Sequence, residues 1–213
     1  AVPVGEATAD ALVERLIPRI EKLKVGPYTA GNDVDYGPVV TGAAKANILK
    51  LIESGVAQGA NLVVDGRDFK LQGYEDGFFV GPHLFDNVTT DMDIYRKEIF
   101  GPVLSMVRAK TYEEAIGMAM DHEYGNGTAI YTRDGDTARD FANRVNVGMI
   151  GINVPIPVPL AYHTFGGWKK SSFGDLNQHG PDAFRFYTRT KTITSRWPSG
   201  IKEGASLNFK QMD

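Results

Sequence analysis

Glu98 and Phe100 stand two residues apart, just ahead of Gly101-Pro102, a pair that stiffens a turn. A carboxylate can accept two hydroxyl hydrogen bonds at once, and an aromatic face can fix a planar ring. Taken alone, the same pair also fits a surface Glu and a core Phe at the start of a strand. Phe165, within Thr164-Phe165-Gly166-Gly167-Trp168-Lys169, is open in the same way: a pocket wall or a plain core residue. The chain has no cysteine among its 213 residues. That excludes disulfides, thiolate zinc sites and a cysteine nucleophile supplied by this chain.

Other candidates carry less. His83, His122, His163 and His179 lack metal-ligand spacing, so hydrogen-bonded or surface histidines are expected and no metal site. Asp134-Gly135-Asp136 misses the calcium-loop pattern, whose Gly comes later. Gly125-Asn126-Gly127 has neither a third Gly at the right spacing nor a preceding strand, and reads as a tight turn rather than a phosphate loop. Asn87-Val88-Thr89 matches a glycosylation sequon by chance, since residues 1 to 25 lack the basic start and apolar core of a signal peptide. Lys169-Lys170 reads as solvated loop, with a phosphate contact as the alternative.

The elements that must position these residues follow from periodicity. Leu12, Val13, Leu16, Ile17 and Ile20 predict a helix over about residues 8 to 24, with Pro18 kinking it or starting a second turn. A short strand precedes it at residues 1 to 5. A second helix spans 42 to 58, with Ile48, Leu51, Ile52 and Val56 on one face. Strands are expected at 61–64, 78–80, 103–107, 128–132 and 148–152. Helices are expected from Thr111, a plausible N-cap, to Met120 and from Asp136 to Val145. From residue 103 onward strands alternate with helices, which argues for an α/β fold of parallel βαβ units. Tyr187 to Trp197 alternates as a long strand whose Arg189, Lys191 and Arg196 suit a protected edge. The expected organisation is a domain over 1–186, a strand over 187–197 and a loosely ordered tail over 198–213.

A hydrophobic content of 42% and a charged content of 23% are ordinary for a soluble globular chain. No apolar run is long enough to span a membrane. The net charge of −3 argues against a dedicated nucleic-acid binder. A cytoplasmic location is expected, or the mitochondrial matrix for a eukaryotic source.

Lys97-Glu98-Ile99-Phe100-Gly101-Pro102-Val103, with Thr90-Asp91-Met92 just before it, resembles the Glu-Ile-Phe-Gly-Pro signature of the NAD(P)-dependent aldehyde dehydrogenases. Thr164 to Lys169 resembles that family's Pro-Phe-Gly-Gly-Tyr-Lys element, departing from it at Thr164 and Trp168. Tyr124 to Thr132 and Gly148 to Asn153 match two more family segments, all in the right order. Asn153 to Pro159, Phe173 to Leu176, His179-Gly180-Pro181 and Arg185 to Lys191 resemble the CoA-acylating methylmalonate-semialdehyde subgroup.

The resemblance implies that Glu98 holds the nicotinamide ribose hydroxyls, that Phe100 packs on the nicotinamide ring, and that Phe165 lines the aldehyde tunnel. It implies NAD as cofactor, coenzyme A as co-substrate, a small aldehyde as substrate, and a homo-oligomer joined through residues 187–197. It also implies a cysteine nucleophile and a Gly-rich cofactor domain upstream of Ala1-Val2-Pro3, which begins in mid-element. The chain is therefore expected to be a piece of such an enzyme, with no catalytic residue of its own and no turnover alone. Two alternatives remain: an aldehyde dehydrogenase that yields a carboxylic acid, and a non-catalytic assembly or binding module.

Overall fold

The computed structural model describes residues 2–197, with side chains from Gly5 onward. The chain divides into two compact units: Ala1–Val158 with Gly166–Phe173, and Pro159–Phe165 with the chain from Gly174.

In the first unit, β1 (Val2–Gly5) leads into α1 (Glu6–Ile20). A single helix forms where 8 to 24 was expected. Pro18 lies in its last turn, and it stops ahead of Gly26-Pro27. α2 (Gly42–Ala57) opens on Thr41, whose hydroxyl accepts the Ala44 N–H at 3.1 Å. Ile48, Leu51 and Ile52 are buried on its inner face, but Val56, expected beside them, is exposed.

β2 (Asn61–Val64), β3 (His83–Asp86) and, after the one-turn α3 (Asp93–Arg96), β4 (Val103–Ala109) complete a sheet in the order β1-β4-β3-β2. β1 and β3 flank β4 in parallel, while β2 runs antiparallel to β3. Along β3 and β4 the pleat sends alternate side chains to opposite faces. Leu84 and Met106 meet α1 residues Ala9, Leu12 and Leu16, whereas Phe85 and Val107 join Ile48, Leu51 and Ile52 of α2. The sheet is thus sandwiched between two helices.

The strand expected at 78–80 is absent. Phe79 and Val80 are buried in a loop, tied to residues 36–39 by Val39 N–H to the Phe78 carbonyl (3.0 Å) and by the Tyr36 hydroxyl to the Val80 carbonyl (3.0 Å). Burial pushes the Tyr36 hydroxyl up to about 12.

α4 (Tyr112–Asp121) begins at the expected cap, Thr111, whose hydroxyl accepts the Glu114 N–H. β5 (Tyr124–Gly125), β6 (Gly127–Ile130), α5 (Gly135–Arg144) and β7 (Met149–Ile152) follow. β6-α5-β7 is a parallel βαβ unit as expected, while β4 pairs with β1 and β3 and not with β6. Ile116, Phe141, Val145 and Val147 close a third core between α4 and α5. β8 (Trp168–Lys169) pairs antiparallel with β5.

The second unit holds α6 (Ala183–Tyr187). Tyr187, expected to open the terminal strand, closes this helix instead. Residues 188–197 take no strand assignment. The tail expected over 198–213 lies outside the described residues. Among the described residues no helix is long and apolar enough to cross a membrane.

Two titratable side chains, Asp86 and His83, are buried in the sheet. Asp86, 3% exposed, is paired with Arg108, which donates to both its carboxylate oxygens (3.2 and 2.7 Å) and reaches Asp10 of α1 at 2.7 Å. The guanidinium holds the Asp86 carboxyl below the usual range. His83 has no such partner. Its side chain is fully buried, neither ring nitrogen has a well-formed hydrogen bond, and the Asp65 carboxylate stands 3.8 Å away.

Burial holds His83 below its ordinary 6.5, so the folded chain favours the neutral ring. The unfolded chain takes up that proton first as the pH falls. The stabilisation is complete above the unfolded value and is lost as the pH drops through it toward the folded value. His83→Leu should therefore lose less melting temperature than the parent as the pH falls below about 6.5. Parallel pH profiles for the two proteins would show that this ring does not couple folding to protons.

Candidate functional site

Helix α2 is the base on which the candidate site rests. Ile94 packs so closely over Gly55 that a Cβ there would lie 2.8 Å from Ile94 Cδ1. At the other end of the segment, Gly101 meets Ile48, and a Cβ would lie 2.7 Å from Ile48 Cδ1. Between these seats Ile99 is buried in the same core, 9% exposed. With Ile99 turned inward, Glu98 and Phe100 turn outward, both exposed, Phe100 at 78%.

Phe100 also has φ of +57°, a left-handed conformation that costs a non-glycine residue on the order of 1–3 kcal/mol. Such strain persists only where the flanks are held. Gly101 and Pro102 do this downstream: the His83 N–H donates to the Pro102 carbonyl (2.9 Å), and the Val103 N–H to the Gly101 carbonyl (2.7 Å).

Glu98, Phe100 and Gly101 form one wall of an open cavity of about 770 Å³. The facing wall comes from Tyr124 to Thr128 and from Lys170 and Ser171. Ser171 fixes that wall, its hydroxyl accepting the Gly125 N–H at 3.0 Å, while the Gly148 N–H donates to the Gly125 carbonyl at 2.9 Å. An exposed carboxylate and an exposed ring on a rigid turn beside a cavity can hold a diol and a planar ring. Among the described residues no group of three His, Cys, Asp or Glu could hold a metal ion.

Phe165 belongs to the second unit, half-buried, with its ring 4.4 Å from that of His179. Lys169 is not the solvated residue expected. Its ammonium donates to the carbonyls of Ala119 (3.1 Å), Met120 (2.8 Å) and His122 (3.0 Å), which end α4. A cation there satisfies orphan carbonyls and meets the negative end of the helix dipole. Lys170 pairs with Glu123 at the surface.

Sequence reasoning missed the residues that fasten α3 to α2. Asp93 accepts the Ser54 hydroxyl at 3.1 Å and lies 2.9 Å from the Lys97 ammonium, and its own N–H donates to Gln58 Oε1 at 2.8 Å. Lys97 first, then Ser54, holds its carboxyl below the usual range. Ser54 and Gln58 are 39 and 35 positions away in the chain, so no local pattern signals them.

Residues 2–193 match the aldehyde dehydrogenase family. The chain belongs to that family. It is 57% identical over 206 residues to the malonate-semialdehyde dehydrogenase of Pseudomonas aeruginosa, covering 97% of this chain and 41% of that protein. To malonate-semialdehyde dehydrogenase 2 of Geobacillus kaustophilus it is 48% identical, covering 92% of this chain and 40% of that one. Among solved structures it superposes, with a TM-score of 0.87 and 70% identity, on a Sinorhizobium meliloti protein assigned to methylmalonate-semialdehyde dehydrogenase and complexed with NAD. That match covers 95% of this chain and 41% of the other. The chain thus spans about two fifths of the length of these relatives.

Lys169→Met keeps the apolar stem and removes three charge-assisted hydrogen bonds. It should cost about 1–3 kcal/mol of stability by denaturant unfolding. Lys170→Met, which loses only a surface pair, should leave the midpoint nearly unchanged. Equal losses in the two variants would show that capping of α4 is not what Lys169 contributes.

Proposed function

We propose that this chain is the part of an NAD-dependent, CoA-acylating malonate- or methylmalonate-semialdehyde dehydrogenase that presents the nicotinamide-end contacts. One observation carries the reading: Glu98 and Phe100 are turned out on either side of buried Ile99, on a strained turn at the wall of a cavity of about 770 Å³. The names of the relatives and the NAD held by the Sinorhizobium meliloti protein support the cofactor and the substrate class.

The exposed carboxylate and ring fit the cofactor's nicotinamide end, since both are free to face a ligand. When bound, NAD supplies the hydride acceptor. Glu98 would accept hydrogen bonds from the ribose hydroxyls, and Phe100 would hold the ring face, so both orient rather than react. Phe165 would line the aldehyde's path. The thiolate that attacks the aldehyde would come from outside this sequence, which has no cysteine. Coenzyme A would then take the acyl group. The setting would be cytoplasmic, or the mitochondrial matrix in a eukaryote.

This chain alone should form no NADH from NAD, coenzyme A and a malonate-type semialdehyde. It should bind NAD more weakly than about millimolar, less than about 4 kcal/mol, because Glu98 and Phe100 reach only one end of the dinucleotide. In a full-length enzyme carrying the chain, Glu98→Gln should lower kcat/KM by roughly tenfold or more. Turnover by the chain alone, a micromolar Kd, or normal kinetics in Glu98→Gln would each overturn the assignment.

Assembly belongs to the same proposal. Residues 188–197 are exposed, with Ile193 at 79% and Trp197 at 89%, and their alternating, β-branched-rich pattern suits an edge strand. They would pair across a subunit boundary by main-chain hydrogen bonds. Light scattering should find at least a dimer, which becomes a monomer when residues 187–213 are deleted. A monomer before the deletion would end this part of the reading.

A further inference from the structure

The turn that carries Glu98 and Phe100 has an energetic problem that its own sequence does not solve. Phe100 sits at φ +57° with its ring 78% exposed, so no packing of that ring compensates the backbone. The backbone must be held by its flanks, and the upstream flank is the four-residue helix α3, too short to be stable alone. What holds α3 is α2. Ile94 seats on Gly55, the Ser54 hydroxyl reaches the Asp93 carboxylate, and the side chain of Gln58, the residue that caps α2, accepts the Asp93 N–H. The Lys97 ammonium, adjacent to Glu98 in sequence, lies on the same carboxylate at 2.9 Å. On its other side the Tyr95 hydroxyl donates to the Met118 carbonyl at 3.2 Å, tying α3 to α4 as well.

We propose that Asp93 is a positioning residue for the cofactor contacts: by joining Ser54 of α2 to Lys97, it fixes the start of the segment that turns Glu98 and Phe100 outward. The inference rests on the functional reading above but names a residue that touches no ligand. Asp93 lies five residues before Glu98 and is not among the residues that line the cavity. Its carboxylate receives a neutral donor from the helix below and a cation from the segment above, so it is the junction between the rigid base and the turn. Removing it frees Lys97 and takes the Ser54 bond from α3, which keeps Ile94, the Gln58 bond and the contacts of Tyr95 with Met118 and His122. The turn can then relax away from the left-handed conformation, and the two contacts lose their shared geometry.

The test uses a full-length enzyme carrying this chain, with Asp93→Ala, Ser54→Ala, the double variant and Glu98→Gln. Asp93→Ala should lower kcat/KM roughly ten- to hundredfold. It should also raise amide exchange at Glu98 to Gly101 while the melting temperature stays near the parent's. Ser54→Ala should show a smaller loss of the same kind, and the double variant should fall no further than Asp93→Ala, because both act through one contact. Asp93→Asn, which keeps an acceptor for Ser54, should recover part of the activity. A lower melting temperature with unchanged kinetics and unchanged exchange at 98–101 would make Asp93 merely structural and overturn the proposal. Normal kinetics in Glu98→Gln would instead sink the functional reading. In that case increased exchange at 98–101 in Asp93→Ala would uphold the positioning role, and unchanged exchange would overturn it too.

Discussion

The seating of three apolar positions on helix α2 governs the geometry of the candidate site. Ile94 over Gly55, Ile99 in the core and Gly101 against Ile48 leave the intervening backbone no freedom to roll. With Ile99 buried, its two neighbours Glu98 and Phe100 are both exposed. Function and packing are therefore not competing demands on this segment. Apolar burial at Ile94 and Ile99, worth roughly 1.5–3 kcal/mol for each full side chain, exceeds the order of 1–3 kcal/mol that the left-handed Phe100 costs. The strain can be sustained only because the base is rigid.

That rigidity is inherited from the sheet. α2 is held by Phe85 and Val107 through the same face of β3 and β4 on which Ile99 packs, while α1 closes the opposite face through Leu84 and Met106. The ion triad of Asp86, Arg108 and Asp10 crosses from β3 through β4 to α1. A buried carboxylate is costly unless it is paired, and Asp86 is paired through two oxygens and also accepts the Asn87 N–H at 2.7 Å. The pair is thus a condition of the layering rather than an addition to it. His83, one strand position from the core residue Leu84, lacks such compensation, and makes β3 the place where acid would be felt.

Much of this was legible in the sequence, and the reasons differ by element. α2 announces itself by apolar spacing and α4 by the Thr cap at 111, which forms, whereas the Thr41 cap of α2 emerges only in the fold. β6, α5 and β7 follow from the strand and helix alternation. β3 was hidden because His83-Leu84-Phe85-Asp86 is buried on both faces, so it lacks the alternation that marks a half-exposed strand, and it carries polar residues at both ends. Phe78-Phe79-Val80 has a strand's composition, but its backbone bonds go to residues 36–39, a tertiary choice no local window contains. Val56 fits the helical period yet lies beyond the edge of the packed face. Glu98 and Phe100 were readable as a motif. Their support was not, since Ser54, Gln58 and Asp93 are ordinary polar residues that gain meaning only when α2 and α3 meet.

The family segments also divide by physical role in a way their similarity does not reveal. Glu98 and Phe100 face open space, and are free to meet a ligand. Lys169, in an equally recognisable segment, spends its charge on three carbonyls at the end of α4, and its own φ of +54° shows the backbone bent to bring it there. Asn153, at φ +58°, accepts the Thr132 N–H and donates to the Thr132 carbonyl, each at 3.0 Å, locking the chain after β7 to the chain after β6. Both residues occupy left-handed conformations, as Phe100 does, yet their side chains repay the strain within the fold through hydrogen bonds. Phe100 makes no such return with its exposed ring. Of these three strained positions it is the one whose compensation must come from elsewhere, and the α2 base beneath it supplies that compensation while leaving the ring free for a ligand.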